Sequence, residues 1–141
     1  MKQITDLLPH RDPFLFVDRI EKATPEEIVA YRTYTSNEPF FKGHFPTYPV
    51  VPGVILVETM AQCGGAGINV QDIIPTGSLF FLATVDKAKF RRQVRPDEEV
   101  RFEIKNLRIS PKMIKQSGRA LVGDELAAEA EWLCLVGPAP V

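Results

Sequence analysis

The stretch that decides the fold is Pro52-Gly53-Val54-Ile55-Leu56-Val57-Glu58-Thr59-Met60-Ala61-Gln62-Cys63. Proline is welcome at a helix start, where its missing N–H is not needed and its fixed φ fits. The residues after it are apolar on nearly every side, so the spacing predicts a helix buried on most of its surface, fading out through Gly64, Gly65 and Gly67. Glu58 and Gln62 are its strongly polar members, with Thr59 beside them.

Outward from this helix the chain reads as strands. Downstream, Val100, Phe102 and Ile104 point one way while Arg101, Glu103 and Lys105 point the other, the period-two pattern of a half-buried strand. Residues 113–122 and 125–136 predict two more strands, joined by a turn at Gly123-Asp124, and residues 78–86 and 89–94 are further candidates. In the last strand Leu126, Ala128, Ala130, Trp132 and Cys134 share a face. Upstream, residues 2–8 form a short helical turn closed by Pro9, Phe14-Leu15-Phe16-Val17 with Ile20 suggests a first strand, and residues 28–35 a second. Residues 37–52 hold four prolines among aromatic side chains, which excludes regular structure but implies a packed, ordered loop. The tail, residues 137–141, carries two prolines and is expected to fray. One buried helix among long antiparallel strands predicts an α+β fold, a curved sheet wrapped on a helix.

The 141 residues suit one domain, spanning 1–141, with a substantial core: 45% are hydrophobic and 25% charged. Lys plus Arg is 17 and Asp plus Glu is 18, so nothing in the net charge of −1 argues for nucleic acid or an anionic membrane as the main partner. The longest apolar run, residues 50–57, is broken by Pro52 and Gly53 and is far short of a membrane span, and the N-terminus lacks an apolar signal core, so a cytoplasmic protein is expected. Cys63 and Cys134 read as reduced, buried small hydrophobes. Two histidines, His10 and His44, are too few for a His-rich metal site, and no metal is expected.

Chemistry concentrates at two positions. A carboxylate within an apolar helix is costly when ionised and unpaired, so burial is expected to favour the protonated acid of Glu58, with Gln62 one turn on to orient it. The competing possibility is that Glu58 lies on an exposed stripe. His44, in Gly43-His44-Phe45-Pro46, is either a packed loop histidine bonded to a backbone carbonyl or a base delivered beside that acid. The helix start at Gly53 offers free N–H groups and a positive dipole end to a substrate carbonyl, and the missing Cβ would let an acyl group approach. Cys63 reads as core and His10 as structural or exposed. Lys87, Lys89, Arg91, Arg92 and Arg95 fall within nine positions, either an ordinary solvated edge or a docking patch for an acidic partner.

These residues resemble a known family, the FabZ-type β-hydroxyacyl–acyl carrier protein dehydratases of fatty acid synthesis. The similarity begins at Leu8-Pro9-His10-Arg11-Asp12-Pro13-Phe14 and peaks at Asn37-Glu38-Pro39-Phe40-Phe41-Lys42-Gly43-His44-Phe45-Pro46 and again at Pro52 to Gln62. It continues through Val85-Asp86-Lys87-Ala88-Lys89-Phe90-Arg91. A glutamate fourteen positions after the loop histidine separates this type from FabA-type relatives, which carry an aspartate there. The resemblance implies a hotdog fold and a homodimer, often assembled as a trimer of dimers. It implies sites that pair the histidine of one chain with the glutamate of the other. His44 would take the C2 proton of the acyl thioester, Glu58 aided by Gln62 would serve the departing 3-hydroxyl, and the Gly53 N–H would hold the thioester carbonyl. Phe81 would gate the acyl tunnel. No metal or organic cofactor is implied: the acyl chain arrives on the phosphopantetheine arm of acyl carrier protein, whose acidic surface the basic cluster would meet. Asp12, Thr47-Tyr48 and Thr59 depart from the commonest family pattern. Two rival functions stand beside this one: a hotdog acyl thioesterase using the helix carboxylate, and a non-catalytic acyl-binding subunit.

Overall fold

The computed structural model describes residues 2–75 and 77–138. Its elements run α1 (Ile4–Leu7), β1 (Arg19–Ala23), β2 (Glu27–Thr33), α2 (Phe40–Gly43), α3 (Gly53–Val70), β3 (Leu79–Phe90), β4 (Glu99–Ile109), β5 (Met113–Val122) and β6 (Glu125–Gly137). The six strands form one antiparallel sheet in the order β1-β2-β4-β5-β6-β3. Helix α3 touches every strand. This is the expected α+β hotdog arrangement, a sheet curled around one central helix.

Alternation in β4 and β5 sets which side faces the helix. Val100, Phe102 and Ile104 on β4, with Ile114, Gln116 and Ala120 on β5, are buried, while the opposite face carries charge. The β5–β6 hairpin closes at Gly123, whose φ of 59° lies in the left-handed region that glycine adopts without penalty.

Four expectations need correction. Helix α3 does not fade at its glycines but runs 18 residues through them, because each glycine is a contact. A Cβ on Gly64 would collide with the Gln116 amide, one on Gly65 would meet the Phe80 ring at 2.6 Å, and one on Gly67 would collide with Ile28. Phe14 to Val17 is extended but is not a strand. Its backbone is held instead by one side chain, Gln62, whose Oε1 accepts from the Phe16 N–H (2.8 Å) and whose Nε2 donates to the Phe14 carbonyl (3.0 Å). The candidates at 78–86 and 89–94 merge into one strand, β3, which ends at Phe90, leaving residues 91–94 outside it, and is interrupted by a bulge at Lys87, whose φ is 53°. Finally, the proline-rich loop contains one turn of helix, α2. Of the tail, Gly137 ends β6 and residues 139–141 lie outside the described residues.

Candidate active site

The loop from β2 to α3 presents His44. Its aromatic residues pack rather than float: Phe41 is buried, Phe40 lies 4.7 Å from it, and Phe40 also meets Phe16 and Tyr34 at 6.3 and 6.2 Å. These contacts hold the α2 turn, and His44 caps it, its N–H donating to the Phe40 carbonyl at 3.0 Å. Phe45 then adopts a φ of 54°, a left-handed conformation that costs a bulky residue about 1–2 kcal/mol. The imidazole Nδ1 lies 3.1 Å from the Val50 carbonyl. A carbonyl only accepts, so Nδ1 carries a proton, and in the neutral ring Nε2 is the nitrogen left with a lone pair. The bond to a backbone carbonyl, one of the two possibilities raised by the sequence, is present in the structure, and it leaves Nε2 without a bond to the chain.

His44 lines an apolar groove of about 530 Å³ with Phe45, Val50, Gly53, Val54 and Phe90. The groove opens at the start of α3, where the first N–H groups have no partner within the helix. One expectation about Gly53 is corrected: the space a Cβ would fill is taken by the Phe90 ring, 2.8 Å away, so the close approach there is made by the protein itself.

Glu58 lies one and a half turns along α3. It is neither sealed nor on a free stripe: its side chain is 24% exposed and is approached by two nitrogen atoms. Gln62 Nε2 donates to Glu58 Oε2 at 2.9 Å, as the four-residue spacing predicts. Because the Gln62 oxygen is committed to the Phe16 N–H, its amide can only turn its NH2 to Glu58. His10 Nε2 stands 3.7 Å from the same Oε2. His10, expected to be structural or exposed, is half-buried beside this carboxylate. No sequence signal marks that contact, since 48 positions separate the two residues.

Within one protomer His44 and Glu58 make no direct bond, and the groove lined by His44 does not include Glu58. Phe81 is 54% exposed on β3, its ring lying over Gly137. The five cations are mostly engaged. Arg92 makes paired bonds to Glu98 (3.0 and 2.7 Å) and approaches Glu125, Arg91 Nε donates to Glu129 (3.0 Å), and Lys87 lies 3.5 Å from Glu131. Arg95 stacks 4.5 Å above the Tyr48 ring, whose hydroxyl donates to Gln93 at 2.8 Å. Lys89 alone of the five has neither an ion pair nor an aromatic partner among the described residues.

The other polar residues near the site are structural. Thr59 donates to the Ile55 carbonyl (2.7 Å), so it accepts from the Tyr34 hydroxyl (2.6 Å). Burial pushes the Tyr34 phenol up, and the Cys63 thiol likewise, which keeps both neutral. Cys63 and Cys134 are both free and buried, as expected.

Comparison with known proteins places this geometry in a family. The FabA-like domain model matches residues 8–131. The 3-hydroxyacyl-[acyl-carrier-protein] dehydratase FabZ of Desulforamulus reducens is 47% identical over 135 residues, 95% of this chain and 94% of the relative. The FabZ enzymes of Caulobacter vibrioides (44% over 136 residues, 95% and 86% covered) and Clostridium kluyveri (39% over 138 residues, 97% and 95% covered) are also similar. Among solved structures, a chain of the dehydratase heterocomplex ApeI:P from Xenorhabdus doucetiae shares the fold, with a TM-score of 0.81, 13% identity and coverage of 98% of this chain and 92% of that one. Matched along almost its entire length, the chain belongs to the FabA-like domain family and, within it, to the FabZ-type 3-hydroxyacyl-[acyl-carrier-protein] dehydratases.

Proposed function

We infer that the protein removes water from (3R)-hydroxyacyl–acyl carrier protein to give the trans-2-enoyl thioester in fatty acid biosynthesis. The observation that carries the chemistry is the Val50 carbonyl holding the proton of His44 on Nδ1, which leaves Nε2 free to accept one.

The reaction balances with two groups. His44 Nε2 takes the proton from C2, the electron pair of that C–H bond shifts onto the thioester oxygen as an enolate, and its return forms the C2=C3 double bond as the C3–O bond breaks. Glu58 acts as the acid: it gives a proton to the departing oxygen, which leaves as water, and the proton held by His44 then passes to solvent as Glu58 takes one up. With Gln62 donating to Oε2, Oε1 is the oxygen that carries this proton. The Gly53 N–H, at the positive end of α3, stabilises the thioester oxygen while it bears enolate charge. No metal or organic cofactor takes part, so a chelator leaves the rate unchanged.

The working unit is a homodimer in which His44 of one protomer meets Glu58 of the other. Strand β3 supports this reading. With β1 at the other side, it is one of the two sheet edges, and Phe81, Leu82, Val85 and Phe90 expose apolar surface along it. A long apolar edge strand left uncovered is an aggregation hazard, and a second copy laid against it removes the hazard. Assembly into a trimer of dimers, Phe81 as the tunnel gate and docking of acyl carrier protein through the basic cluster extend the same reading. In docking, Lys89 carries the most weight, since the other cations are engaged. Among the described residues no helix is long and apolar enough to cross a membrane, and a cytoplasmic site of action fits.

The test is an assay of carrier-bound 3-hydroxyacyl thioesters. Growth of the conjugated enoyl absorbance is the expected result, with hydration of the enoyl product in reverse. Release of free thiol without enoyl formation would make the protein a thioesterase. Neither signal with any chain length would leave an acyl-binding subunit.

A further inference from the structure

We propose that His10 is a positioning residue for Glu58, its Nε2–H steadying Oε2 so that Oε1 stays aimed at the substrate's 3-hydroxyl. This deepens the dehydratase reading and rests on it. The geometry forms a closed circuit. The His10 ring stacks on Phe14 (centroids 6.5 Å apart, planes 24° apart), and the Phe14 carbonyl accepts from Gln62 Nε2, which also donates to Glu58 Oε2. His10 Nε2 approaches that oxygen from another direction at 3.7 Å, too long for a hydrogen bond at rest and short enough to become one when substrate engages the acid. The loop that carries the ring is anchored by Arg11, whose guanidinium donates to the carbonyls of Thr5 (3.1 Å), Leu8 (2.8 Å) and His10 (2.6 Å).

The other ring nitrogen sets the proton. His10 Nδ1 is buried without a hydrogen-bond partner among the described residues. An imidazolium would bury a second N–H there with no acceptor, which is costly. The neutral ring with its hydrogen on Nε2 satisfies the carboxyl and leaves only a lone pair at Nδ1. Burial and the Arg11 cation act in the same direction, holding the imidazole below its ordinary range against the opposing pull of Glu58. Glu58 and Arg11 are the charged groups facing His10. On the far side of Glu58, the Cys134 thiol of β6 is pushed up to about 11 by burial and so stays neutral. A neutral donor suits the task, since an imidazolium would bind the carboxylate as an ion pair and withhold the acid.

Two variants and one titration test the proposal in the full-length protein. His10→Phe keeps the stacking surface and removes the donor. His10→Gln restores a neutral N–H. In the dehydration assay the phenylalanine variant is expected to lose about tenfold in kcat with KM within about twofold, as small misplacements of a reacting group do. The glutamine variant should regain most of that loss. Equal kcat in all three proteins, or a glutamine variant as slow as the phenylalanine one, would overturn the assignment. The imidazole signals of the two histidines, told apart with His44→Ala, give a readout that needs no substrate. The His10 midpoint should fall in Glu58→Gln, because the carboxylate that favours its proton has gone. An unchanged midpoint would show that His10 does not attend Glu58. A native chain without turnover would sink the dehydratase reading, and the titration would still decide the contact.

Discussion

The two halves of α3 are built to different rules. From Thr59 to Ile68 the helix is almost wholly buried and touches its surroundings closely enough that three glycines are needed for the fit. From Gly53 to Glu58 it borders open apolar surface: Val54 is 74% exposed, and Phe45 and Phe90, which line the same groove, are exposed too. The packed half fixes the sheet to the helix. The open half is where the His44 groove lies, and its exposed apolar groups are what the proposed second chain and substrate would cover. On the proposed reading, one helix divides stability from chemistry along its length.

The largest effect that could break this division is at the open half. His44→Ala and Glu58→Ala should each lower kcat by about 10²–10⁴, the usual range for a lost acid or base, while the urea midpoint barely moves. A variant that lost activity by unfolding would erase the distinction. Next comes the packed half. Gly64→Ala drives a methyl group into the Gln116 amide, and overpacking of this kind costs about 1–3 kcal/mol in a denaturant titration. Gly43→Ala, with nothing within 4 Å of the added carbon, is the control and should stay within about 0.5 kcal/mol.

A sharper test lies where the halves meet. Thr59→Val leaves the buried Tyr34 hydroxyl without its partner and should cost about 1–3 kcal/mol, whereas Thr59→Val combined with Tyr34→Phe should recover most of it, since removing both partners is far cheaper than orphaning one. Additive losses would deny the pairing. The smallest effect is at the surface. Lys89→Glu should raise KM for a carrier-bound substrate by roughly a few-fold at low salt, less at high salt, and leave KM for a carrier-free pantetheine thioester alone. An equal change for both substrates would remove Lys89 from docking.

The helix, the half-buried strands and the loop-plus-helix motif were legible because each is written in local periodicity or adjacent residues. The misreadings share another cause: a distant partner satisfied a local need. Phe14 to Val17 has the composition of a strand, but the Gln62 amide, 46 residues from Phe16, takes the hydrogen bonds that a neighbouring strand would have taken. Gly64, Gly65 and Gly67 look like a helix end, and only the side chains of β2, β3 and β5 reveal them as contact points. The charged run at Asp86–Lys89 hides the continuity of β3 because a bulge there breaks the alternation. His44, Glu58 and Gln62 could be read from spacing and resemblance. His10 could not, because its role depends on a loop folding back across α3.

The most direct test of the account is complementation between two inactive proteins. His44→Ala and Glu58→Ala chains are mixed under conditions in which subunit exchange is verified by mass spectrometry of mixed dimers. A two-fold dimer with shared sites regains one intact site in every mixed pair, so activity should rise to about a quarter of the native level after random exchange. Activity that stays at the sum of the two separate variants, with mixed dimers present, would contradict it.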